Sequence, residues 1–418
     1  MSVDNKQVQI FGGGTFSHVR THLALAVPAF GTVARQLAML CAEHNQTMDV
    51  VLHLTRMADP QSKIVTTEDL AQVVDAVVAD PRTKIVFFAA GVTDFSGQVE
   101  ATPSGKYAAR LDSHALASGI GGGYSMWLTP TAKIITRIRR ERKDIFLVGF
   151  KSTAGVDEAT QFRSGLNLLK RASCNLVLAN DVVTHTNMII VPEEAPYHVT
   201  RDRQEALRNL VEMAYLRSHL TFTRSTVVNG TPVAWESPLV PATLRTVVDH
   251  CIAAGAYKRF LGVTAGHFAV KLDDQTFLTS RRKTDFNDMK NVGLVKVKTD
   301  GPDSVIAYGS RPSVGGQSQR IVFATHPGLD CIVHFHCPKK DGSPVPTVSQ
   351  REFECGSHEC GANTARGLAQ FGNLRVVYLD KHGPNIVFYH SVDPAEVIAF
   401  IDANFDLAQK TSGYAIAA

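Results

Sequence analysis

Three histidines carry the most specific chemistry this sequence offers. His334 and His336 lie two apart in the run Cys331-Ile-Val-His-Phe-His-Cys337, and His382 follows a second apolar run over residues 374–379. The first run is short, apolar and β-branched, which predicts a buried strand. Side chains alternate faces along a strand, so His334 and His336 share one face. Cys331, Val333, Phe335 and Cys337 then pack on the other. Two imidazoles from one strand, with His382 as a third from elsewhere, form an open metal site of the kind that keeps a position free for substrate.

The elements that position such a site are expected to fall into two domains, because 418 residues exceed what one ordinary core supports. At 44% hydrophobic and 20% charged, the composition is that of a soluble globular protein. No run is long enough to span a bilayer, and the polar start leads straight into a strand-like segment. A cytoplasmic protein without membrane association is expected. The densest basic run, residues 137–143, includes Glu141 and reads as a solvated helix face, so no nucleic-acid partner is expected. Seven scattered cysteines, an odd number without paired spacing, fit free thiols in a reducing compartment.

In the first half, residues 8–11, 48–54, 84–90, 145–150 and 175–179 read as apolar strands, with helices over 67–79 and 158–172 between them. A glycine-rich turn, Gly12-Gly13-Gly14, follows the first strand, and residues 17–41 are helix-compatible with a break near Pro28. Strands alternating with helices predict a doubly wound parallel sheet. Ligands bind beyond the carboxyl ends of such strands, and bare glycine N–H groups there can approach an anion. Those ends carry Gly13, Gly14, Asp94, Lys151, Asn180 and Asp181.

At these residues the chain resembles phosphopantothenoylcysteine synthetase, the nucleotide-dependent phosphopantothenate–cysteine ligase. The matching pieces are Gly13-Gly14-Thr15 with Val19-Arg20, Ala89-Ala-Gly-Val-Thr-Asp94-Phe95, Gly105-Lys106, Thr129-Pro130-Thr-Ala-Lys133, Gly149-Phe150-Lys151 and Asn175-Leu-Val-Leu-Ala-Asn180-Asp181. The resemblance implies a Rossmann-like fold and a site for CTP or ATP with magnesium on Gly13, Gly14, Thr15, Asp94, Lys106, Lys151, Asn180 and Asp181. It places Lys106 and Lys151 near phosphates, where a lysine acts as a point charge. Two departures separate the fold from the ligase reaction. Val27-Pro-Ala-Phe-Gly31 stands where the family has Asn-x-Ser-Ser-Gly, and Ser152 replaces the acid after Phe150-Lys151.

Turn-rich residues 227–241 mark a boundary, between a helix over 203–220 and one over 243–258. The expected division is a synthetase-like domain over 1–225, a linker over 226–241 and a second domain over 242–418. The second domain resembles the class II aldolase family, which includes fuculose phosphate aldolase and the adducin head domain. The carrying residues are Thr264-Ala-Gly266-His267, Phe277-Leu-Thr279-Ser280, Arg311-Pro312-Ser313, Thr325-His-Pro327, His334-Phe-His336, Gly356-Ser-His-Glu359 and His382-Gly383. The resemblance implies an α/β/α layered fold around an antiparallel sheet, with zinc or another divalent metal on His334, His336 and His382. It also implies a phosphate pocket from Thr264, Gly266, Thr279, Ser280 and Ser313, since small residues at turns suit a dianion. Arg281, next in chain, would add a charge-assisted contact. His267 stands where phosphate-binding members have Asn.

A metal of this kind acts as a Lewis acid on a carbonyl and its enediolate, and an acid/base group must move a proton. The family places a glutamate after the Pro-Ser; residues 314–317 hold no carboxylate. Gln317 can hydrogen-bond there but cannot be a base, which leaves Glu359 as the candidate. The expected function is a metal-dependent lyase of aldolase type, cleaving or forming a carbon–carbon bond in a phosphorylated small carbonyl substrate through a zinc-stabilised enediolate. It would be fused to a nucleotide- or phosphometabolite-binding ligase-like domain and, by analogy with both families, assemble as a homo-oligomer. The alternatives are a ligase-like synthetase with a regulatory aldolase-like domain, a metal-dependent dehydratase or epimerase, and a non-catalytic adducin-like scaffold.

Overall fold

The computed structural model describes residues 5–45, 47–112 and 123–415, with the side chains of 314–317 outside that description. All five runs expected as strands in the first half form them: Gln7–Gly12, Asp49–Leu54, Thr83–Phe88, Phe146–Thr153 and Leu176–Asp181. Neighbours among these five are parallel, with Gln7–Gly12 between Asp49–Leu54 and Thr83–Phe88. Four of the strands are buried along nearly their whole apolar length, as a parallel sheet packed on both faces requires, while Asp49–Leu54 at the sheet edge is only partly covered. The second strand in sequence lies outside the first, so the order of connections reverses between Gln7–Gly12 and Thr83–Phe88. That reversal is the switch point at which open sheets of this type bind ligands.

The segment after the glycine turn departs from expectation. Residues Phe16–Arg20 and Leu23–Ala26 pair as an antiparallel hairpin, and the helix begins only at Thr32. Pro28 restricts the residue before it to extended backbone, and Gly31 enters the helix from the left-handed region with φ 76°. The helix Thr67–Ala79 matches its expected span.

The chain divides into two compact units: residues 1–155, 168–187 and 200–218 form one, and residues 156–167, 188–199 and 219–418 the other. Within the second, a mainly antiparallel sheet runs in the order Arg224–Val228, Ser304–Tyr308, Val295–Thr299, Thr276–Thr279, His267–Lys271, Cys331–His334, Gly383–Phe388, Leu374–Leu379, Thr347–Val348. Only the outermost pair at each end is parallel. Period-two alternation sends side chains to two separate cores. Phe268, Val270, Val333 and Ile386 pack with Leu244 and Val247 of Ala242–Ala253 and with Val397 and Ile401 of Pro394–Asn404. Ala269, Ile332 and Val387 face the other way, toward Val322 and Phe323 of Val314–Thr325. The layers are therefore α/β/α, and the fold class is the mixed α/β one expected. No helix among the described residues is long and apolar enough to cross a membrane.

Candidate metal centre

The histidine site is built on the central strand of the second sheet. Cys331–His334 is flanked by His267–Lys271 and Gly383–Phe388, which put His267 and Asn385 opposite His334. The strand ends at His334, short of His336, yet the alternation of faces continues. Cys331, Val333, Phe335 and Cys337 all enter the first core, while the histidines between them turn to the other face. Two glycines let the flanking chains close on this segment. A Cβ on Gly266 (φ 115°) would lie 2.6 Å from the His334 carbonyl oxygen, and one on Gly383 (φ 130°) 2.1 Å from that of Phe335. The turn that precedes Gly383 delivers His382.

The three rings converge. Centroids are 4.5 Å apart for His334 and His382, 4.8 Å for His336 and His382 and 5.0 Å for His334 and His336. Among the described residues, these three present ligand atoms all within 4.8 Å of one another. All are buried. His334 Nδ1–H donates to the Pro384 carbonyl at 2.7 Å, which fixes the tautomer and leaves Nε2 as a lone pair. That Nε2 faces Nε2 of His382 at 3.2 Å. Burial lowers the His334 pKa to about 4, against the opposing effect of the Pro384 bond, so the ring is neutral near pH 7. Converging imidazole nitrogens are the donor set that zinc and similar divalent ions take, so these residues fit the metal that the resemblance implies.

His267 lies beside the centre, its ring tilted against that of His334 with centroids 4.7 Å apart. Gln319 hydrogen-bonds its Nδ1, while Gln319 Oε1 accepts from Thr279 Oγ1 at 3.2 Å. Gln319 must therefore donate through its amide N–H, which leaves the His267 proton on Nε2. Burial, then the neighbouring His334, holds the His267 pKa well below its usual value. His267, His382, Asn385, Ser318 and Gln319 line one small pocket together with Cys355 and Cys360.

The residues expected to bind phosphate separate into two groups. Thr279, Ser280 and Ser313 lie together and are buried, with the Ser313 N–H donating to the Ser280 carbonyl at 2.9 Å. Ser280 Oγ is buried with no hydrogen-bond partner among the described residues, a hydroxyl able to serve an oxyanion. Thr264 instead holds a local turn: its hydroxyl donates to the Thr284 carbonyl and accepts from the Phe286 N–H. Arg281 also makes local bonds. Its guanidinium donates to Ser310 Oγ at 3.1 Å and to the Val292 carbonyl at 2.7 Å, tying the turn after Thr276–Thr279 to two neighbouring segments. Gly266 serves the close approach described above. Both carboxylate oxygens of Glu359 accept from the Thr221 N–H, at 3.0 and 3.2 Å. The Gln317 side chain lies outside the described residues.

In the first unit, the glycine turn meets the loop after Thr83–Phe88 through a bridge between Gly14 and Gly91. The Gly14 and Thr15 N–H groups donate to the Ala29 and Gly91 carbonyls, so these two do not present the bare amides expected of the turn. Thr15 is buried and shares a hydroxyl chain with Thr67 and Thr93. Asp94 pairs with Lys133, and both are exposed. Asp181 is buried and accepts from Thr153 Oγ1 and from the Gly155, Val183 and Thr184 N–H groups, so its carboxylate shapes the loops. Asn180 accepts from Ser152 Oγ. Lys151 sits in the strand Phe146–Thr153, and the Lys106 ammonium lies 5.6 Å from the centre of the Tyr107 ring.

Gln319 and Asn385 were not found from the sequence. A faint signal existed for each. Asn385 lies two after Gly383 in an apolar run, and Gln319 lies three before Val322 on the buried stripe of a helix.

Comparison with known proteins follows the same division. Residues 246–340 match the model of the class II aldolase and adducin N-terminal domain. Over 184 residues the chain is 24% identical to coenzyme A biosynthesis bifunctional protein CoaBC of Thermococcus kodakarensis, covering 43% of this chain and 42% of the relative. The chain thus spans about two-fifths of that relative's length. Among solved structures, the DNA/pantothenate metabolism flavoprotein from Streptococcus pneumoniae is 17% identical and covers 50% of this chain and 97% of its own, with TM-score 0.39. The L-fuculose-1-phosphate aldolase from Thermus thermophilus is 20% identical and covers 39% and 89%, with TM-score 0.30. The chain joins an N-terminal half similar to CoaBC to a segment that matches the class II aldolase and adducin domain.

Proposed function

We propose that the second unit is a metal-dependent lyase that cleaves or forms a carbon–carbon bond in a small, phosphorylated carbonyl compound. The observation that carries this reading is the convergence of His334, His336 and His382 in a buried site. A divalent cation held by these three would supply Lewis-acid polarisation of a carbonyl oxygen. The chain's own residues do the rest. Pro384 holds His334 in the tautomer that offers Nε2. His267, neutral through burial and the neighbouring His334 and with its proton put on Nε2 by Gln319, offers a hydrogen bond to an oxygen that gains charge. The Ser280 hydroxyl, beside Thr279 and Ser313, offers a contact to a substrate phosphate. Burial keeps water from competing for each of these. The Glu359 carboxylate accepts from the Thr221 N–H, and we place the proton carrier either there or on a neighbouring subunit of a homo-oligomer.

The test is a screen of phosphorylated aldols by NMR for the paired appearance of two carbonyl fragments. Turnover that chelator abolishes and added zinc restores supports the reading. Metal-loaded protein inert toward every phosphorylated aldol, in both cleavage and condensation, contradicts it.

For the first unit we propose nucleotide or phosphometabolite binding at the switch point, supported by the glycine turn and the residue 91–94 loop meeting there. Calorimetric titration with CTP and with ATP, each with magnesium, tests it. Lys106→Ala and Lys151→Ala should weaken any binding seen, and unchanged affinity in both removes these lysines from the site.

A further inference from the structure

We infer that residues 191–198 form a strap that positions the histidine centre, acting through Glu193, Glu194 and Tyr197. The inference rests on the metal reading above. The strap precedes residue 219 in the chain but belongs to the same compact unit as the centre. Its contacts end on each of the arms that build the site. Glu193 is fully buried, and its Oε1 accepts from the Cys355 N–H at 2.7 Å; Cys355 lines the pocket shared by His267 and His382. Glu194 Oε2 accepts from Lys410 Nζ at 2.9 Å, with the two side chains 4% and 2% exposed. The next residue, Thr411, donates its N–H to the His336 carbonyl at 3.2 Å. Tyr197 donates its hydroxyl to the Asp380 carbonyl at 3.2 Å. Lys381, adjacent to His382, donates to the Pro196 carbonyl at 3.1 Å and lies 4.8 Å from the centre of the Tyr197 ring.

Two features argue that this segment specifies geometry beyond filling space. Glu194 and His198 adopt φ of 61° and 50°, a region that side-chain-bearing residues enter when their surroundings over-determine them. The Glu194–Lys410 pair is almost wholly desolvated, and such pairs add little net stability compared with apolar residues. What the pair does fix is the place of the chain that holds His336. These are positioning residues: they set where the imidazoles stand, in the way partners behind a metal ligand set its orientation.

The experiment is titration of the full-length, metal-stripped protein with cobalt(II), read by visible absorption. Glu193→Ala should weaken cobalt affinity about 10-fold or more and shift the absorption band. Glu193→Gln, which keeps an oxygen for the Cys355 N–H, should bind as wild type does. A folded Glu193→Ala protein with wild-type affinity and spectrum overturns the inference. If that variant does not fold, Tyr197→Phe decides. It removes the hydroxyl that donates to Asp380 and keeps the ring, and unchanged affinity there overturns the strap just as surely. Wild-type protein that takes up no cobalt removes the metal reading itself, and the strap with it.

Discussion

Gly383 shows how much of the site depends on single atoms. With φ at 130° and room for no Cβ beside the Phe335 carbonyl, Gly383→Ala must move the turn that carries His382. The backbone conformation alone should cost about 1–3 kcal/mol. Denaturant unfolding should show at least that loss, together with loss of bound metal, whereas an unchanged midpoint with full metal content would contradict the placement. His334 gives a second test, in pH. Its folded pKa lies at about 4, below the ordinary 6.5, so the unfolded chain takes up a proton first. Its contribution to the metal-free protein is complete above pH 6.5 and is lost as the pH falls from there toward 4. Thermal melts of chelator-treated protein should fall over that window, less steeply in His334→Gln; equal slopes would contradict the assignment. His334 and His336 were legible in the sequence as a pair on one face because strand alternation is local. His382 came from its place after a second apolar run and from the resemblance to the aldolase family. Gln319 was not, because its partner His267 lies 52 residues away and only the packed helix brings them together.

At the scale of elements, periodicity and capping did most of the specification. Thr66 accepts from the Asp69 N–H while the Asp69 carboxylate accepts from Thr66, and the helix Thr67–Ala79 starts there. Thr66→Ala should therefore lower stability by about 1 kcal/mol, measured by denaturant unfolding, and an effect near zero would show that packing alone sets that start. The five parallel strands were readable as continuous apolar runs. The hairpin of Phe16–Arg20 and Leu23–Ala26 was not, since Leu23-Ala-Leu-Ala suits a helix equally well. What decides it is tertiary: a Cβ on Gly14 would stand 1.8 Å from the Val27 carbonyl oxygen, so the chain after the hairpin packs directly on the glycine turn. The ladder around Cys331–His334 has the same character. The run was visible, but its pairing with His267–Lys271 and Gly383–Phe388 is a long-range fact that gives His334 its neighbours.

For the whole molecule, motif order made two kinds of half readable, while the membership of segments 156–167 and 188–199 in the second unit came only from contacts distant in sequence. The Glu194–Lys410 pair makes that membership measurable. Glu194→Gln alone strands a buried ammonium and should cost about 3–5 kcal/mol, and the double variant Glu194→Gln with Lys410→Met should recover much of it. Equal losses in the single and double variants would mean the pair is not desolvated as described. The central claim, that His334, His336 and His382 form a metal centre, is tested most directly by elemental analysis of gently purified protein beside the double variant His334→Ala with His336→Ala. The account predicts about one divalent metal per wild-type chain and almost none in the variant. Wild-type protein that carries no metal, and takes up none when zinc is added, would contradict it.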